Sequence, residues 1–152
     1  MIAPPSPGSA ANPTFVAYAL TCLVLCLNLL LLWITSGAMR ARSGVAINPE
    51  DGARYGAPVR ELDPPVVARF LRAHRNAEAT IYPFLLLGLV YILGGGGTRV
   101  GVPIFATFTV SRITHSIVYL RGLQPWRTLA FAASLLATCA LIAAVVHILL
   151  RA

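Results

Sequence analysis

The sequence contains no lysine and few charges of either sign. Its 152 residues include twelve arginines and five acidic residues, so charged side chains make up only 11% of the chain. Hydrophobic residues make up 57%, and the mean hydropathy is +0.75. These values are far from those of a soluble domain and indicate an integral membrane protein. Because every basic side chain is an arginine, each is a permanently charged planar group suited to binding carboxylates and phosphates.

Cysteine is also scarce, and its placement excludes two classes of site. Cys22, Cys26 and Cys139 all lie within apolar runs, which argues against a disulfide framework and offers no metal-ligand spacing. We therefore expect no bound metal. The net charge of +7 is not accompanied by a nucleic-acid-binding motif, so we expect no nucleic-acid partner.

Four long apolar stretches predict four membrane-spanning helices, since about 20 residues cross a bilayer. They cover about residues 15–39, 66–93, 100–120 and 129–150. The first lacks a basic n-region and is too long for a signal peptide, so we expect it in the mature protein. The polar segment 40–65 is predicted to be a loop, with room for a short helix after Pro49. The sequence thus predicts a single all-α integral membrane domain over residues 1–152.

The arginines between the spans indicate the orientation in the membrane. Segments 40–65 and 121–128 contain most of them: Arg40, Arg42, Arg54, Arg60, Arg121 and Arg127. The opposite side has only Arg99 and Arg151. The positive-inside rule places both arginine-rich segments in the cytoplasm and both termini on the other side.

Two of the predicted helices carry polar faces. At about 100° per residue, one sector of roughly 120° on the second span contains Arg69, Arg72, Arg75, Asn76 and Ala79. One face of the third span contains Arg112, His115 and Tyr119. Ionisable groups at membrane depth are costly, so two such faces predict a shared interior cavity that serves as a binding site.

Arg112 is the most demanding of these residues, because it lies near the middle of its span. Insertion of an arginine there costs roughly 2.5 to 3.5 kcal/mol, so it needs a partner. Glu78 lies at comparable depth, and our hypothesis is that it is the counter-ion, within or between subunits. Arginines nearer the helix ends, such as Arg69, have a simpler alternative, which is to extend to the headgroups and set the topology.

Four sequence blocks occur in order along the chain. They are NPED at 48–51, LRAHRN at 71–76 followed by TIYPF at 80–84, the pattern Arg112-x-x-His115-x-x-x-Tyr119, and PWRT at 125–128. With the four apolar spans, these blocks resemble the MAPEG family, the membrane-associated proteins in eicosanoid and glutathione metabolism, and most closely its prostaglandin E synthase branch. The similarity extends over nearly the whole chain from residue 40 onward.

The resemblance implies a four-helix transmembrane bundle, assembled as a homotrimer with glutathione bound between subunits near the cytoplasmic side. Paired arginine N–H groups suit the two carboxylates of glutathione. The positions that match glutathione-binding residues of the branch are Arg40, Arg72, Arg75, Asn76, His115 and Tyr119.

The resemblance also implies a catalytic group. The thiol of glutathione, like that of free cysteine, is mostly protonated at neutral pH, and a nearby cation favours the thiolate. Arg127 matches the catalytic arginine of the family, and Thr128 stands where the branch has serine. Asp51 matches an acidic residue expected to orient the arginine or accept a proton. Two positions depart from the pattern: Ala79 replaces a glutamate and Phe131 replaces a tyrosine.

Three functions are compatible with these residues. The favoured one is a glutathione-dependent enzyme that isomerises a lipid endoperoxide or conjugates or reduces lipophilic electrophiles such as lipid peroxides, which enter laterally between spans one and four. A second is a non-catalytic lipid-binding scaffold, which the same family contains. A third is a small anion channel lined by the arginine faces.

Overall fold

The computed structural model describes residues 8–9 and 12–151, and in this part of the chain the regular structure is entirely α-helical. The five helices are α1 (Pro13–Ser43), α2 (Pro49–Tyr55), α3 (Pro65–Leu93), α4 (Thr98–Arg121) and α5 (Trp126–Leu149). The domain predicted over 1–152 includes residues 1–7, 10–11 and 152, which lie outside the described residues.

Local sequence explains where the helices begin and end. Proline occupies the first turn of α1, α2 and α3, where its missing N–H costs nothing. The Asn12 side chain also caps α1 by accepting a hydrogen bond of 3.0 Å from the Thr14 N–H. At the other ends, α1 and α4 are each followed by a glycine in the left-handed conformation, Gly44 and Gly122.

Two helices extend into segments that the sequence assigned to loops. Helix α1 continues to Ser43, so Arg40 and Arg42 lie in its last turn, where basic side chains interact favourably with the helix dipole. Helix α5 begins at Trp126, so Arg127 is helical. The short helix expected after Pro49 is present as α2.

Side-chain hydrogen bonds fix the direction of each helix. Thr14 on α1 shares a hydrogen bond of 2.9 Å with Thr98 on α4, and Thr109 donates to Thr21 at 3.0 Å, so α1 and α4 run parallel. The Tyr18 hydroxyl of α1 donates to the Leu85 carbonyl at 3.0 Å, whereas Arg40 near the end of α1 contacts Asp63 just before α3, so α3 runs antiparallel to α1. The last turns of α3 and α5 line one cavity, so these helices also run parallel.

This arrangement gathers four helix ends at one side of the molecule. The C-terminal ends of α1 and α4 and the N-terminal ends of α3 and α5 lie together, and we call this side the arginine end. It contains the arginines of segments 40–75 and 121–127.

An aromatic cluster forms the core between the long helices. The Phe84 ring on α3 stacks on Phe108 of α4 with centroids 3.5 Å apart, and it meets Phe105 edge-on at 6.0 Å. Leu25 of α1 and Leu141 of α5 are buried in the same cluster. The core therefore involves all four long helices.

The outer surface is that of a membrane protein. Helices α1, α3 and α5 are each long and apolar enough to cross a bilayer. Large apolar side chains such as Leu31, Leu86 and Leu136 are more than half exposed, as expected for contact with lipid. Helix α4 is not among the apolar candidates, so its role as a fourth span stays a prediction.

Candidate functional site

Arg127 lies in a cluster of aromatic rings at the arginine end. It is the second residue of α5, and its guanidinium carbon is 5.0 Å from the centre of the Tyr119 ring on α4. The Tyr119 ring in turn lies 5.6 Å from the His115 ring, one turn earlier on the same helix. The cation therefore rests on a π face, an arrangement that holds a guanidinium without neutralising it. Three residues singled out from the sequence meet here.

Gln124 also belongs to this cluster, although no motif in the sequence singled it out. Its amide satisfies both neighbours when the oxygen faces Arg127 and the nitrogen faces Thr128. In that orientation the oxygen accepts from Arg127 Nε at 3.1 Å and Nη2 at 2.7 Å, and the nitrogen donates to Thr128 Oγ1 at 3.1 Å. The only signal in the sequence is its spacing of three and four residues from Arg127 and Thr128.

Arg112 is fully buried, and within the described chain its partner is not Glu78. Its Nη2 donates to Asn76 Oδ1 at 2.9 Å and approaches the Asn76 carbonyl at 3.4 Å. Glu78 instead lies 3.4 Å from His74 Nδ1 and accepts from the Tyr82 hydroxyl at 3.4 Å. The predicted pairing is wrong within one chain, because Glu78 lies about 200° around α3 from Asn76.

Arg40 is held by an acidic residue that the sequence did not single out. Its Nε and Nη2 donate to the two carboxylate oxygens of Asp63 at 2.9 and 3.0 Å. This bidentate pair ties the end of α1 to the residues just before α3. Arg40 also lines a cavity of about 390 Å³ together with Asp51 of α2.

The remaining predicted residues lie nearby but in separate groups. Arg72 and Arg75 are exposed and border a cavity of about 400 Å³ beside Asp63. Asp51 accepts a hydrogen bond of 3.2 Å from the Asn48 side chain. Among the described residues, no hydrogen bond or ion pair joins Asp51 to Arg127. A single chain thus carries several basic clusters at one end without joining them.

Sequence comparisons identify the family. The model of the MAPEG family matches residues 18–147. This chain belongs to the MAPEG family.

Individual MAPEG relatives cover most of the chain. It is 38% identical over 122 residues to a prostaglandin E synthase from Homo sapiens, with 80% of each chain covered. A prostaglandin E synthase from Equus caballus is 37% identical over 129 residues, covering 84% of each chain. A microsomal glutathione S-transferase 1 from Sus scrofa is 34% identical over 125 residues, covering 79% of this chain and 81% of its own.

The two departures from the MAPEG pattern have different surroundings. Phe131 packs with its ring centre 6.3 Å from that of His115, so it adjoins the ring cluster under Arg127 but adds no hydroxyl to it. Ala79 is exposed on α3. Alanine at position 79 leaves that position of α3 without a carboxylate, and Glu78, three residues after Arg75, lies beside His74 instead.

Proposed function

We propose that this chain is a glutathione-dependent membrane enzyme that acts on lipophilic substrates by isomerisation or by thiol transfer. The observation that carries the proposal is the Arg127 guanidinium, whose partners among the described residues are neutral, the Tyr119 ring and the Gln124 amide. Relatives named prostaglandin E synthase and microsomal glutathione S-transferase support the same chemistry.

The Arg127 cluster suits thiol activation. A thiolate beside a guanidinium is stabilised relative to the thiol, and lowering the thiol pKa by one corresponds to about 1.4 kcal/mol. Since no carboxylate of the described chain pairs with Arg127, its charge stays available to the sulfur. The Thr128 hydroxyl, next along the helix, is the second group proposed to contact the sulfur. Asp51 is the proposed orienting group or proton acceptor.

The proposed binding groups for the two glutathione carboxylates are Arg40, Arg72 and Arg75 at the arginine end. Arg72 and Arg75 form no ion pair within the described residues, so both are free to bind an anion. Arg40 differs, because it would have to exchange Asp63 for a ligand carboxylate. Asn76 has its oxygen occupied by Arg112, which leaves its NH₂ group to donate to the ligand. His115 and Tyr119 complete the proposed set beneath Arg127.

A homotrimer of four-helix transmembrane bundles would join these groups. Among the described residues, no ion pair or hydrogen bond joins Arg72 or Arg75 to Arg127, and a neighbouring subunit would supply the missing wall. It would also shield the arginine stripe from lipid. We place the arginine end in the cytoplasm, both termini outside, and substrate entry between α1 and α5.

The test uses purified protein in detergent, assayed for endoperoxide isomerisation and for thiol transfer to electrophiles, with and without glutathione. We expect glutathione-dependent turnover, a thiolate absorbance from bound glutathione, and loss of both in Arg127→Ala with the trimer intact. The matched control is Arg121→Ala, which removes an exposed arginine six residues before Arg127. This variant should keep both the turnover and the thiolate absorbance. Saturable fatty-acid binding without turnover would support a scaffold instead, and glutathione-independent anion flux in liposomes would support a channel.

A further inference from the structure

Gln124 occupies the position from which one side chain can reach both proposed thiol-activating groups. It lies two residues before α5, and its amide spans the first turn of that helix. The amide oxygen accepts two hydrogen bonds from the Arg127 guanidinium, and the amide nitrogen donates to Thr128 Oγ1. Tyr119 supports the same guanidinium at 5.0 Å. The guanidinium thus has one partner beside it and one against its face.

The chemistry of the three side chains fixes the orientation of the amide. A guanidinium has only donors, so the atom of Gln124 that faces Arg127 must be the oxygen. The NH₂ group then faces Thr128, and the threonine oxygen accepts from it. Because the hydroxyl oxygen is the acceptor in this contact, the hydroxyl hydrogen remains free to donate elsewhere.

We propose that Gln124 is a positioning residue for thiol activation, which aims Arg127 and commits the Thr128 hydroxyl to donating toward the glutathione sulfur. The proposal rests on the proposed function and deepens it. Gln124 itself does not touch the sulfur. Its effect passes through two hydrogen-bonded neighbours, and because the amide is neutral it fixes the guanidinium without cancelling its charge.

A glutamate at this position would behave differently. Its carboxylate would still accept from Arg127, but it would neutralise the cation and would have no donor for Thr128. The Thr128 hydroxyl would then donate to the carboxylate rather than to the sulfur. Comparing the amide with the carboxylate therefore separates two roles for residue 124. In one it positions Arg127 and leaves its charge available, and in the other it only anchors the arginine.

The experiment measures the pH titration of the thiolate absorbance of bound glutathione, together with kcat and the KM for glutathione, in four proteins. They are the wild type, Gln124→Met, Gln124→Glu and the control Leu123→Met, a volume-conserving change in the same connection. We expect the pH midpoint of the thiolate titration to rise by about one pH unit in Gln124→Met and further in Gln124→Glu. Leu123→Met should match the wild type. The KM for glutathione should change by less than about threefold while kcat falls about tenfold in Gln124→Met.

A double-mutant cycle tests the route through Thr128. If Gln124 acts partly by orienting that hydroxyl, Gln124→Met should shift the midpoint less in a Thr128→Val background than in the wild type. An unchanged midpoint in both Gln124 variants, with Arg127→Ala still abolishing the thiolate signal, overturns the inference and leaves the proposed function standing. Absence of any thiolate signal in the wild-type protein overturns both.

Discussion

The buried cation of Arg112 is bound by the neutral amide oxygen of Asn76, with Nη2 and Oδ1 2.9 Å apart across α3 and α4. Its Nε and Nη1 have no hydrogen-bond partner among the described residues. Because this guanidinium is 0% exposed and has one side-chain partner, its hydrogen bond to Asn76 is unusually important for stability. The pair also joins the polar faces of two helices one turn from His115.

Asn76→Ala should destabilise the protein by about 2 to 3 kcal/mol, because a hydrogen bond to a buried charge is lost and the cation remains. Unfolding in detergent, followed by circular dichroism, measures the change. Arg112→Met combined with Asn76→Ala removes the cation as well, so the double variant should recover most of the loss. A double variant as unstable as the sum of both singles would contradict the direct contact.

Glu78→Gln should have little effect on stability, less than about 0.5 kcal/mol, because the pair with His74 lies at a partly exposed helix surface. The same unfolding measurement applies, with Asn76→Ala as the reference for a true partner of Arg112. A loss comparable to that of Asn76→Ala would restore Glu78 as the counter-ion, supplied by a neighbouring subunit.

Asp63→Asn should tighten glutathione binding by about three- to fivefold, because it frees the Arg40 guanidinium from a competing carboxylate. The same change should lower stability by about 1 kcal/mol through loss of the bidentate pair. Titration calorimetry with glutathione measures the affinity. Glu61→Gln is the matched control, since Glu61 borders the same cavity as Asp63 but forms no ion pair with any described residue. Weaker binding by Asp63→Asn would show that Arg40 serves only to tie α1 to α3.

Gly88→Ala should destabilise the protein by about 1 to 3 kcal/mol, because a methyl group there would come within 2.8 Å of the Tyr18 ring and 3.1 Å of Phe105. The comparison is Gly37→Ala, another helical glycine, where the added methyl meets nothing within 4 Å. Gly37→Ala should be neutral or stabilising by up to about 1 kcal/mol. Equal melting temperatures for the two variants would show that α3 does not pack closely on α1 and α4.

The sequence predicted the helices better than the contacts between them. The apolar runs located the four long helices, and the NP pair at 48–49 located α2, because these signals depend on neighbouring residues only. The extension of α1 through Arg40 to Ser43 and the start of α5 at Trp126 were missed, since arginine is compatible with both a loop and a terminal helical turn.

The partners of the site residues were harder to predict for a physical reason. We chose Glu78 for Arg112 by charge and depth, whereas the helix face decides contact, and that face presents the neutral Asn76. Asp63 and Gln124 lie in connections without periodicity, so no pattern aligned them with Arg40 or Arg127. The grouping of Arg127, Tyr119 and His115 was implied by the family resemblance, and the order of the helix ends explains it.

The modest hydropathy of α4 has a consequence for biogenesis. Within the described part of the chain, only α1, α3 and α5 are apolar enough to enter a bilayer by themselves. Helix α4 should therefore partition into lipid as a hairpin with α5, to which it is joined by four residues. A chain that stops before residue 126 should leave α4 accessible to added protease. The completed hairpin should protect it, which makes the last helix the one that commits the chain to its membrane topology.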